Sequence, residues 1–126
     1  MLQKQSVGKE LLELLVDLVY YNYKLISAPS IIDGIRLASE MDIAAMKLNA
    51  IAGRGSKKDF IDFYYLGKKF SLDEMIKFYN EKYPDGSEFM VRKSLTYFDD
   101  ADKDDMPLMT DNIDWDEIKN SIIEIL

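Results

Sequence analysis

The sequence predicts a mainly α-helical (α+β) protein: a bundle of about five helices preceded by a short strand or hairpin. The first observation is a serine followed three residues later by an acid, the pattern of a helix N-cap, in front of apolar residues at helical spacing. The second is a β-branched and aromatic run at residues 14–21, which is typical of a strand. The capping pairs are Ser39 with Asp42, Ser56 with Asp59, and Ser71 with Glu74.

The helices are predicted at about residues 39–53, 56–69, 71–83, 87–98 and from 114 onward. Short strands are predicted at residues 14–21 and 35–37. Residues 1–37 are interpreted as the strand remnant of a larger sheet and residues 38–126 as a helical domain, with 99–105 as a solvated loop. Candidate core residues in the last two helices are Phe89, Val91, Leu95, Phe98, Trp115, Ile118, Ile122, Ile123 and Ile125.

Composition limits the chemistry that the chain can perform. It has 126 residues, no cysteine and no histidine, which excludes disulfides, thiolate chemistry, serine–histidine triads and ordinary zinc sites. The net charge of -7 argues against broad binding to nucleic acid by this chain alone. No apolar run reaches the roughly 18 residues of a membrane span, so we expect a cytoplasmic protein without a membrane partner.

Lys47 is the first candidate for a functional role. It lies four residues after Ile43 and four before Ile51, so its stem shares the apolar side of the first helix. One interpretation is that it snorkels to the helix edge or pairs with a neighbouring acid. The alternative is that it meets an anionic ligand.

The segment from Gly53 to Asp59 superficially resembles a phosphate-binding loop. Two glycines and a serine precede a helix, and Arg54, Lys57 and Lys58 surround the turn. The purely structural interpretation is a helix-ending glycine followed by an N-cap serine. Both interpretations can hold together.

Asp59 and Asp62 are three residues apart and therefore share one face of the second helix. They are either a cap and an exposed acid, or they hold Lys47 or Arg54 across the helix pair. Asp100, Asp102 and Asp104 have the spacing of a calcium loop, but Asp105 replaces the required glycine, so the sequence predicts no metal site there.

Residues 37–66 carry the motif D-I-A-A-M-K-L, then an arginine, then K-D-x-x-D-x-x-x-L. In this order the motifs resemble the AbiEii/AbiGii toxin family of nucleotidyltransferases. Residues 94–102 and 115–119 also look like the tail of bacterial members. The similarity covers most of the chain and implies the helical C-terminal portion of such an enzyme, with an antitoxin or an N-terminal nucleotidyltransferase half as partner.

The resemblance implies that Lys47 binds nucleotide and that Asp59 or Asp62 completes the site. Arg54, Lys57 and Lys58 would add positive charge for a nucleoside triphosphate with magnesium. Asp17 resembles the strand carboxylate of nucleotidyltransferase folds. The family's Gly-Ser turn and Asp-x-Asp pair do not occur before Asp17, so we expect a truncated protein that does not catalyse transfer alone. The alternative expectation is a helical interaction module, or a homodimer formed through an unpaired strand.

Overall fold

The computed structural model describes residues 25–109 and 111–126. Within these residues the chain forms a two-stranded antiparallel hairpin followed by six helices. The strands are β1 (Ser30–Ile32) and β2 (Ile35–Leu37). The helices are α1 (Glu40–Arg54), α2 (Lys57–Leu66), α3 (Leu72–Lys82), α4 (Glu88–Ser94), α5 (Asp99–Asp102) and α6 (Trp115–Ile125). The predicted helical bundle is confirmed, while the strand predicted at residues 14–21, with Asp17, lies outside the described residues.

The hairpin turns at Asp33 and Gly34, which both have positive φ, of 52° and 78°. An Asp-Gly pair favours this two-residue turn because its twist matches that of the flanking strands. β2 lies where the sequence predicts a strand, and Ile32 pairs with Ile35 across the turn. β1 was not predicted, although the Asp-Gly signal was available in the sequence.

Serine caps define where the first three helices begin. Ser56 and Ser71 form complete capping boxes with Asp59 and Glu74, so both predictions are confirmed. At α1 the Ser39 side chain accepts from the Asp42 backbone N–H, and the Asp42 carboxylate accepts from the Ser39 hydroxyl and from the Ile26 and Ser27 backbone N–H groups. Each cap satisfies a backbone donor that the helix itself cannot.

The turn between α1 and α2 requires a glycine at position 55. A Cβ there would lie 2.8 Å from the ring of Phe60 and 3.3 Å from the Ile51 Cα. The absence of a side chain lets the two helices approach closely. α1 packs against α2, α3 and α4, and α2 packs against α5 and α6, so α1 and α2 form the centre of the domain.

The core contains residues from all six helices. Its members include Leu48, Phe60, Phe63, Met75, Val91, Leu95, Ala101, Ile118 and Ile122. Phe60 packs edge to face against Phe98 at 5.0 Å, and both rings pack against Trp115, which lies at the edge of this core. Such apolar and aromatic burial supplies the main free energy of folding.

Three details of the predicted packing are wrong. Phe89 is 71% exposed because α4 is short and presents Val91 to the core instead. Ile123 and Ile125 are exposed because the buried stripe of α6 runs through Ile118 and Ile122. Residues 99–105 are not only a loop, since they begin with the single turn α5, which buries Ala101.

Helix lengths also differ from the predictions by more than one residue at two ends. α2 ends at Leu66 instead of Lys69, because Gly67 takes the C-cap position and residues 67–69 form a turn. α4 ends at Ser94 instead of residue 98, where a turn leads into α5. None of the described helices has the length and apolarity needed to span a membrane.

Candidate functional site

Lys47 is buried between two aspartates of the next helix. Its Nζ lies 3.2 Å from an Asp59 carboxylate oxygen and 2.7 Å from an Asp62 carboxylate oxygen. The lysine side chain is 4% exposed, and the two aspartate side chains are 18% and 16% exposed. We call these three side chains the Lys47 cluster. Of the interpretations left open by the sequence, the structure shows the one in which Lys47 pairs with neighbouring acids and Asp59 and Asp62 hold it across the helix pair.

Asp59 has two structural roles at once. One carboxylate oxygen accepts from the Ser56 backbone N–H at 3.1 Å and from the Ser56 hydroxyl at 3.0 Å. The other accepts from Lys47. The start of α2 therefore fixes the orientation of Asp59, and through Asp59 it positions the ammonium group of α1.

The Lys47 cluster carries one positive and two negative formal charges, a net charge of -1. Burial of the ammonium strengthens its attraction to both carboxylates, because the effective dielectric constant is lower than in water. The carboxylates are partly open to solvent, so hard cations can approach them. In the described part of the chain, no three acidic side chains gather closely enough to hold a metal ion by themselves.

Two of the other predicted cations, Arg54 and Lys57, lie at a second cluster. Arg54 is largely exposed, and its Nε lies 3.6 Å from an Asp100 carboxylate oxygen. Lys57 is buried, and its Nζ donates to the Asp104 carbonyl at 2.7 Å. Lys58 is exposed on α2. Arg54 and Lys57 thus contact Asp100 and Asp104. Of the two cations that Asp59 and Asp62 were expected to hold, the described contacts show Lys47.

Residues 99–105, which we call the acidic segment, supply the partners of this second cluster. The Asp104 carboxylate accepts from the Lys57 backbone N–H at 2.9 Å. Asp102 accepts from the Trp115 indole N–H at 2.7 Å and from Lys119 at 3.0 Å. These hydrogen bonds from Trp115 and Lys119 lower the pKa of Asp102. Alternate aspartates of the predicted loop therefore bind protein groups.

Trp115 forms the apolar side of this second cluster. The Lys57 ammonium lies 5.1 Å from the centre of the indole ring, and the Lys119 ammonium lies 5.6 Å from it. Cations close to an indole ring are stabilised by its quadrupole. Lys57 is therefore enclosed by an aromatic ring and a carbonyl.

A third charged cluster was missed by sequence reasoning. Asp42 of α1 and Lys82 of α3 form an ion pair at 2.8 Å in which neither side chain is exposed. Asp42 also accepts from the backbone N–H groups of Ile26 and Ser27 and from the Ser39 hydroxyl. Lys82 follows Tyr79 by three residues on the apolar stripe of α3, and this spacing was the available signal.

Burial and hydrogen bonding act in opposite directions on Asp42. Burial by itself raises the pKa of this carboxyl group, because it penalises the charged form. The donors from Ile26, Lys82, Ser39 and Ser27 more than compensate, so the pKa of Asp42 lies below its ordinary value. The folded protein therefore stabilises the ionised form of Asp42.

No family model matches the chain, and no solved structure matches it. The chain is similar to an uncharacterized protein of Aquifex aeolicus (strain VF5), with 44% identity over 85 residues. The match covers 64% of this chain and 41% of the Aquifex protein. The matched part is thus about two fifths of that bacterial relative.

Proposed function

We propose that the chain is a nucleotidyltransferase-like protein of the AbiEii/AbiGii toxin type, in which α1 and α2 bind part of a nucleoside triphosphate. The observation that carries the proposal is the Lys47 cluster, a buried ammonium held between two partly exposed carboxylates. Lysine with carboxylate-bound magnesium is a recurring arrangement around transferred phosphates. Lys47, Asp59 and Asp62 are also the positions at which the sequence motifs resemble that family.

The net charge of the Lys47 cluster limits the form of ligand that it can bind. A bare triphosphate would be repelled by the two carboxylates, whereas its magnesium complex brings a cation for Asp62 and Asp59 and oxygens for Lys47. The donor set therefore fits a magnesium nucleotide better than a free one. When bound, the metal would neutralise phosphate charge, while Lys47 orients the phosphate chain.

Catalysis needs more than these three side chains. Two-metal nucleotidyl transfer uses a group of carboxylates held together, and no Asp-x-Asp pair precedes Asp17 in the sequence. In this proposal Asp17 contributes one carboxylate, and an N-terminal nucleotidyltransferase half supplies the remainder. Arg54, Lys57 and Lys58 contribute positive charge near the nucleotide. We further propose that the protein acts in the cytoplasm as part of a toxin–antitoxin system.

The test is direct binding of ATP, GTP, CTP and UTP by isothermal titration calorimetry, with and without magnesium. We expect at least one magnesium nucleotide to bind, and Lys47→Met to weaken it by about tenfold or more, a loss of about 1.4 kcal/mol. Lys77→Met is the matched control, because Lys77 is an exposed lysine of α3. Circular dichroism of each variant establishes that it is folded.

Asp62→Asn separates the two roles within the Lys47 cluster. This change brings the net charge of the cluster to zero, so affinity for metal-free nucleotide should rise while affinity for the magnesium complex falls. Absence of binding by the wild-type protein to all four nucleotides would refute the proposal. Equal binding by the wild-type protein and Lys47→Met would refute the role of Lys47.

A second candidate function is a helical interaction module that pairs with an antitoxin or with a separately encoded N-terminal half. The observation that favours it is the hairpin, in which Ile31 and Ile32 are 70% and 55% exposed. An isolated two-stranded hairpin is marginally stable, so an added strand would complete it. Light scattering should then show a complex or a homodimer that the Ile31→Lys substitution abolishes. A wild-type protein that stays monomeric in the presence of its partner would contradict the interaction module.

A further inference from the structure

The acidic segment neutralises the second group of cations that the proposed function uses. Five of its seven residues are aspartates, and one is a lysine. Asp100 pairs with Arg54, and Asp104 binds Lys57 through both its carboxylate and its carbonyl. These are the kinds of contact that phosphate oxygens would make with the same groups.

We propose that the acidic segment is an intramolecular competitor, which masks Arg54 and Lys57 and lowers the affinity of the chain for polyphosphate ligands. This inference rests on the proposed function, because it describes regulation of the same nucleotide-binding surface. The segment occupies the Lys57 ammonium, which is buried between the Asp104 carbonyl and the Trp115 ring. A ligand gains access to Lys57 only after Asp104 moves.

The middle of the acidic segment and its C-terminal end are held differently. Ala101 is fully buried, and Asp102 is bound by Trp115 and Lys119, so the middle is anchored to α6. Asp104 and Asp105 follow the helical turn and are exposed. Movement of this end breaks the two contacts to Lys57 and leaves the buried contact of α5 in place.

Competition of this kind has a defined thermodynamic effect. The apparent dissociation constant of a ligand equals its intrinsic value divided by the fraction of molecules in which the segment is displaced. The ion pair of Arg54 with Asp100 and the hydrogen bond from the Lys57 backbone N–H to the Asp104 carboxylate contribute up to about 1 kcal/mol each, so their removal predicts an increase in affinity of about three- to tenfold. High salt weakens the same contacts and reduces the difference.

The experiment compares two double variants that remove the same charge from the same segment. Asp100→Ala with Asp104→Ala removes the carboxylate that pairs with Arg54 and the carboxylate that accepts from the Lys57 backbone N–H. Loss of the second carboxylate releases the hold that keeps the Asp104 carbonyl against the Lys57 ammonium. Asp99→Ala with Asp105→Ala is the control, since neither residue forms an ion pair with those cations in the part of the chain that the structure describes. The probes are inorganic tripolyphosphate and magnesium ATP, titrated calorimetrically. The fluorescence of Trp115, the single tryptophan, reports whether its contact with Asp102 persists.

The expected result is tighter binding of tripolyphosphate, by about three- to tenfold, in the first double variant alone. Equal affinities in both double variants and the wild type, including no binding in any of them, would overturn the competitor role. A gain in affinity for tripolyphosphate that is confined to the first double variant would support the competitor role. If magnesium ATP binds equally to the wild type and to Lys47→Met, the nucleotide function is refuted, whatever the acidic segment does. The two proposals therefore fail in different measurements.

Discussion

Helix α1 buries two charged side chains, Asp42 and Lys47, which lie five positions apart and have different surroundings. Asp42 is fully buried with Lys82, and four donors satisfy its carboxylate. Lys47 is also buried, but the carboxylates of Asp59 and Asp62 beside it are partly exposed. The Asp42 pair is closed to solvent, and the Lys47 cluster is not.

This difference separates a structural charge from a candidate functional one. A fully buried ion pair presents no accessible charged group to a ligand, and the loss of one member leaves the other charge buried without that partner. A cluster whose carboxylates are partly exposed can bind an added cation or anion at a smaller energetic cost. Mutation of Asp42 should therefore mainly reduce stability, and mutation of Lys47 should mainly reduce ligand binding.

The largest stability effect is expected for Asp42→Ala. The change leaves Lys82 buried without its carboxylate and removes the acceptor of two backbone N–H groups, so the free energy of unfolding should fall by about 3–5 kcal/mol. Urea titration followed by circular dichroism measures the loss. Glu40→Ala is the matched control, because Glu40 is an acid in the same first turn whose pair with Lys69 is exposed. Similar losses in both variants would remove the distinction.

A smaller loss is expected for Lys47→Met. The change leaves Asp59 and Asp62 close together, but water can reach both carboxylates, so we expect about 1–2 kcal/mol in the same urea titration. Adding Asp62→Asn should recover part of it, because the repulsion between the carboxylates disappears. A loss as large as that of Asp42→Ala would place the Lys47 cluster among purely structural pairs.

The pH dependence should also identify Asp42. Its pKa in the folded protein lies below the value of 3.8 expected without the fold, so folding favours the ionised form. Its stabilising contribution is present above that value and is lost as the pH falls through the lower, folded pKa. The difference in unfolding free energy between wild type and Asp42→Ala should be constant above about pH 5 and shrink below pH 4. A difference that does not change down to about pH 2 would contradict this assignment.

The smallest effect is expected at a surface pair. Arg92 and Glu88 lie 3.0 Å apart at i,i+4 spacing on α4, and both are about half exposed. Arg92→Ala should reduce the free energy of unfolding by about 0.3–0.5 kcal/mol, and added salt should reduce the effect further. A loss above about 1 kcal/mol would mean that the exposure of a charge pair does not predict how much it stabilises this protein.

Much of the fold and part of the site could be predicted from sequence because they depend on local spacing. The serine caps of α2 and α3 are local hydrogen bonds over three residues, and the pairing of Lys47 with Asp59 and Asp62 follows from a tight turn between consecutive helices. The Asp42–Lys82 pair joins residues 40 positions apart, and the contact of Asp104 with Lys57 spans 47. Such contacts depend on how helices pack, which periodicity alone does not specify.

The hydrogen bonds from Ile26 and Ser27 to Asp42 set a physical limit on how the helical domain can be isolated. A shortened chain that starts at residue 38, the border suggested by the change from strand to helix pattern, would lack both of these backbone donors. Its most deeply buried carboxylate would then face water or an unfilled gap. A self-sufficient folding unit should therefore include Ile26 and Ser27, which precede the hairpin, as well as the helices.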